Sequence, residues 1–110
     1  MSVELVRDLQ EDTYDEAIQV KGIVFVDFWA DWCFPCKAMA IIIDELAKKY
    51  VDHVTFYKVN TDDAPGIFKT CGISALPTML IYKDGEIVEK LIGTRSVKNI
   101  AAIFDKLLST

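Results

Sequence analysis

The chain is expected to be an α/β protein with a mixed sheet covered by helices on both faces. Three observations predict it. Apolar runs of strand length alternate with segments of helical periodicity. The run Ile23-Val24-Phe25-Val26-Asp27-Phe28 is apolar at almost every position, as in a strand buried on both faces. Late in the chain Asp84-Gly85 is a hairpin signal, so an early parallel part is followed by an antiparallel one.

The elements follow in order. Val3 to Val6 is a possible short edge strand. Thr13 with Glu16 three residues on fits a capping box, opening a helix that ends near Gly22. Ile23 to Phe28 is the central strand. From Phe34 to Tyr50, Met39, Ile42, Ile43, Leu46 and Tyr50 recur at helical spacing, with Lys37, Asp44, Glu45, Lys48 and Lys49 mostly on the other side. Val54 to Val59 is a second central strand. Asn60 to Gly66 is loop, Pro65 starts a short helix and Gly72 ends it. Thr78 to Tyr82 and Glu86 to Ile92 are strands joined by the hairpin turn. Ser96 caps a last helix whose apolar stripe is Val97, Ile100, Ile103, Phe104 and Leu107.

A chain of 110 residues, 52% hydrophobic, is expected to form a single domain over 1–110 with a real core. The net charge of −5, from 12 basic and 17 acidic residues, argues against nucleic acid and anionic membrane as partners. The N-terminus has no basic segment followed by an apolar one, and no apolar stretch is long enough to span a bilayer. Three cysteines are too few for a structural disulfide framework. A reducing compartment, the cytoplasm, is the expected location.

The chemistry concentrates at Trp32-Cys33-Phe34-Pro35-Cys36-Lys37, directly after the central strand. Two cysteines three apart, where a strand gives way to a helix, can close a small disulfide and reopen it. Unpaired N–H groups of the first helical turn point towards Cys33 and favour its thiolate, the attacking species. Cys36, one turn on, suits the second attack that resolves a mixed disulfide. Pro35 lacks an N–H that would be unpaired there anyway, and it stiffens the loop. Two plainer readings compete. A zinc site wants about four ligands, and only Cys71 and His53 remain, each single and without ligand spacing. Burial as ordinary core is weakened by the helix-start position beside Trp29 and Trp32.

The segment Val26 to Lys37 closely resembles the thioredoxin family. So do Lys58-Val59-Asn60-Thr61-Asp62, Leu76-Pro77-Thr78, Lys83-Asp84-Gly85 and Ile92-Gly93. The likeness runs from about Leu5 to Leu108. It implies a thioredoxin fold, a central five-stranded mixed sheet flanked by four helices. It also implies a protein-disulfide reductase that uses Cys33 and Cys36, binds no cofactor and no metal, and works as a monomer. The implied partners are protein disulfide substrates and a thioredoxin reductase as electron donor.

The resemblance also gives roles to the supporting residues. Asp27, the one charge in the central strand, should have a raised pKa because burial penalises its charge. Read alone it is either a strand-end residue touching solvent or a buried acid–base. The resemblance implies the second, passing protons for Cys36, with Lys58 as the lysine near that acid. Read alone, Lys58 is a solvated surface lysine. About 5–6% of X–Pro bonds are cis, so local sequence predicts a trans Pro77. The resemblance implies a cis Pro77 facing the disulfide, which leaves the Leu76 backbone free to pair with an extended substrate. It places Trp32 beside the disulfide and adds Ile92 and Gly93 to an apolar contact surface that suits protein substrates.

The chain departs from the family at three places. Phe34-Pro35 stands between the cysteines where Gly-Pro is usual, which bears on redox poise and partner range. Ile41 replaces a helix-kinking proline, so the helix should be uninterrupted, with Ile41 partly exposed. Cys71 is either a small apolar residue closing the short helix or a regulatory, dimer-forming thiol. Two other functions remain as alternatives, a binding module without turnover and a disulfide oxidant or isomerase.

Overall fold

The computed structural model describes residues 4–109. Its strands are β1 (Val6–Asp8), β2 (Ile23–Trp29), β3 (Val54–Asn60), β4 (Thr78–Lys83) and β5 (Glu86–Ile92). Its helices are α1 (Tyr14–Ile18), α2 (Phe34–Lys49), α3 (Pro65–Thr70) and α4 (Val97–Leu108). One five-stranded sheet runs in the order β1-β3-β2-β4-β5. β3 lies parallel to both β1 and β2, while β4 is antiparallel to β2 and to β5. This is the mixed sheet with four helices that the resemblance implies.

Strand alternation sorts the core into two layers. Phe25, Phe56, Met79 and Ile81 face α2 and α4, packing with Met39, Ile43, Leu46, Ile100 and Phe104. Val24, Val26, Phe28, Val59, Leu80 and Tyr82 face α1 and α3, packing with Tyr14 and Ile67. That double cover is why β2 reads as a nearly unbroken apolar run. Its one charge, Asp27, is an odd-numbered position and therefore faces α2. Opposite it in the ladder stand Lys58 of β3 and Met79 of β4.

The sequence expectations hold for α2, β3, α3, the β4–β5 hairpin and α4. Ser96 Oγ accepts the Asn99 N–H at 3.1 Å, capping α4 as expected. Two expectations near the N-terminus need correction. The edge strand is Val6–Asp8 rather than 3–6, because Val6 is the residue that buries beside Phe56; Val3 lies outside the described residues. The capping box does not form. Thr13 Oγ1 instead accepts from Gln10 N at 3.0 Å, and α1 stops at Ile18, well short of Gly22. Gly22, at φ +94°, turns the chain into β2, and its N–H donates to the Asp84 carboxylate at 2.8 Å.

Candidate functional site

β2 ends at Trp29, and after a short turn α2 starts at Phe34. Cys33 is the N-cap of that 16-residue helix, in extended conformation, with Pro35 in the first turn. Cys33 and Cys36 are joined by a disulfide with Cα atoms 5.4 Å apart. Cys33 Sγ also accepts the Cys36 N–H at 3.3 Å. No acidic residue sits in the first turn to oppose negative charge on that sulfur. Both cysteines are buried in the disulfide form, packed with Ala30, Trp29 and Leu76.

Behind the pair, Asp27 is only 4% exposed, and its Oδ1 is buried without a hydrogen-bond partner. Burial pushes its pKa up to about 7, and the Lys58 ammonium pulls the other way. The Lys58 Nζ lies 6.0 Å from the centre of the Trp29 ring. A cavity of about 150 Å³ joins Asp27, Lys58, Trp29 and Cys36. The sequence-predicted acid, lysine and second cysteine are therefore brought to one place.

The outer surface is apolar. Phe34 is 83% exposed and Trp32 70%, while Ile92 is half exposed. The Leu76–Pro77 peptide bond is cis, Pro77 is buried, and its carbonyl accepts the Gly93 N–H at 2.9 Å. The Leu76 backbone makes no hydrogen bond to another described residue. Gly93 has φ +89°, a conformation that favours glycine.

Other positions settle differently. Ile41 is 74% exposed on an unbroken helix. Cys71 is the C-cap of α3, half-buried against the second core layer, with its thiol 3.6 Å from the Tyr14 hydroxyl. It does not join the Cys33–Cys36 cluster.

Two residues near the surface escaped the sequence reading. Asp62, the last residue of the family-like segment Lys58 to Asp62, accepts the Trp32 indole N–H at 3.1 Å, a pairing that no local pattern signals. Arg95 donates from its guanidinium to the Ile92 carbonyl at 3.1 Å. No periodic pattern points to Arg95, although the carbonyl it meets at the end of β5 lies only three residues back.

A family model described as Thioredoxin matches residues 5–106. The chain is 41% identical over 109 residues to "Thioredoxin M-type, chloroplastic" of Spinacia oleracea, covering 98% of this chain and 60% of that protein. It is 48% identical over 93 residues to the protein of the same name from Triticum aestivum, covering 84% of this chain and 53% of that one. With "Thioredoxin 1" of Synechococcus elongatus it shares 44% identity over 93 residues, covering 84% of this chain and 87% of the relative. The chain thus spans between about half and three-fifths of the plant relatives' length.

Proposed function

This chain belongs to the thioredoxin family, and from that premise we propose that it is a thiol–disulfide oxidoreductase that reduces disulfides of protein substrates. The observation that carries the reading is the disulfide between Cys33, the N-cap of α2, and Cys36 one turn later. A sulfur at that position, once reduced, meets the positive end of a helix and the Cys36 N–H, both of which favour thiolate.

The reaction runs as two exchanges. Cys33 thiolate attacks one substrate sulfur, the substrate S–S bond breaks, and the first substrate thiolate leaves. Cys36 then gives its proton to the Asp27 carboxylate and attacks Cys33 Sγ. The Cys33–substrate bond breaks and the Cys33–Cys36 bond forms. Two electrons have passed from the protein dithiol to the substrate, and both substrate thiolates take protons from water. A reductase partner reverses the oxidation of the pair.

Asp27 suits its role because a carboxyl titrating near neutrality can both take and release a proton there. Lys58 tempers the burial and holds the carboxyl near that range. Trp32, Phe34, Pro35, Ile92 and Gly93 form the docking surface, and Leu76 beside cis Pro77 offers backbone to an extended substrate. One domain suffices for the chemistry, and the cytoplasm provides the reducing conditions the cycle needs.

Insulin-disulfide reduction with dithiothreitol tests the reading. Wild type should accelerate precipitation of the reduced chains and Cys33→Ser should not. Equal rates would leave a binding module without turnover.

A further inference from the structure

Asp27 has a second opening, away from the sulfurs. A groove of about 340 Å³ runs between α2 and the segment entering β1, and its lining includes Asp27, Ala40, Asp44, Lys48, Lys58 and Glu4. It shares Asp27, Ala40 and Lys58 with the smaller cavity that touches Cys36. The two spaces therefore meet at one buried carboxyl, with the small side chain of Ala40 beside both. Each is ample for water, which needs roughly 10–15 Å³. The groove reaches solvent at its rim, where Ala40, Asp44 and Lys48 are exposed. Neither space is lined by Trp32, Phe34, Leu76, Pro77, Ile92 or Gly93.

We propose that this groove is the proton door of the reaction: Asp27 trades its proton with bulk water past Ala40, on a side that a docked substrate leaves open. The inference rests on the reductase reading. In that reaction Asp27 receives one proton from Cys36 per turnover and must lose it before the next. The substrate covers the sulfur face during the very step that loads the carboxyl. An exit through the docking surface would have to wait for product release, whereas the groove does not. The charges facing the carboxyl are Lys58 from β3, Lys37, Asp44 and Lys48 from α2, and Glu4 ahead of β1. β4 contributes uncharged Met79. Asp44 and Glu4 place carboxyl groups at the outer end, and Lys58 is set at the inner end by its ladder position opposite Asp27.

The test is to plug the gap. Ala40→Leu and the more flexible Ala40→Met both add bulk at an exposed helical site and keep good helix formers there. Ala38→Leu, exposed on the same helix and lining neither space, is the control. A pH jump on the oxidised protein, followed by the infrared carbonyl band that Asp27→Asn removes, reads protonation of the carboxyl directly. Both plugs should slow it several-fold, with Ala38→Leu at the wild-type rate. In single turnover the plugs should leave both exchanges at the wild-type rate, because the proton leaves Asp27 only after the second. Under repeated turnover with excess dithiothreitol they should lower the rate several-fold, while Ala38→Leu does not. Carboxyl titration at the wild-type rate in both plugged variants overturns the route. Failure of wild type to reduce any disulfide, with the infrared result intact, removes the reductase reading and leaves the route standing.

Discussion

Replacing Asp27 by Asn should make the oxidised protein's stability nearly independent of pH between about 4 and 7, where wild type loses stability steadily. Asp27 is almost completely buried, and its pKa rises from 3.8 to about 7 because burial penalises the charge. Between those values the native state holds a proton that the unfolded chain has released. Stability therefore falls as pH rises, is fully present below about 4, and is lost once pH has passed about 7. At about 1.4 kcal/mol per pH unit, the gap amounts to roughly 4 kcal/mol. Asn has the same shape and no charge to bury. Its unpaired amide adds an offset that is the same at every pH, so the slope isolates the carboxyl. Urea unfolding of both proteins every half pH unit, with the disulfide intact, gives the two profiles. Parallel profiles would refute the reasoning, because an ionising carboxyl in water has no reason to couple to folding.

Four further outcomes are expected. Cys36→Ser should trap a substrate on Cys33 as a stable mixed disulfide, seen as a mass increase that dithiothreitol reverses. Phe104→Ala should cost about 3–5 kcal/mol in urea unfolding, since that fully buried ring meets Phe25, Tyr50 and Phe56 edge-on with centroids 5.0–5.8 Å apart. Ser96→Ala should cost about 1 kcal/mol through the lost cap. The Ile41 amide should exchange slowly with deuterium, because α2 runs through it without a break.

What was legible in the sequence followed from local rules. β2 announced itself because a strand covered on both faces must be apolar throughout, and the exception, Asp27, was visible for the same reason. Cys33 could be placed at a helix start because the apolar spacing of Met39, Ile43 and Leu46 fixes where α2 must lie. Ile41 fell on the polar stripe of that periodicity and is exposed. Long-range matters stayed hidden. Local preference favours a trans Pro77, and only resemblance pointed to cis. Thr13 carried the signature of a capping box, yet its hydroxyl bonds to Gln10 instead. The partnership of Trp32 with Asp62 joins residues from separate loops and leaves no periodic trace.

Tyr50, the C-cap of α2, donates its hydroxyl to the Asp105 carboxylate at 2.7 Å and meets Phe104 edge-on. The reactive helix is thus moored to α4 at the end farthest from its sulfurs. Nearer the sulfurs, Met39 and Ile43 seat the same helix in the core against the sheet. The sulfur pair is therefore carried on a helix anchored along its length, from Cys36 to Tyr50, which gives an incoming partner a firm edge to meet.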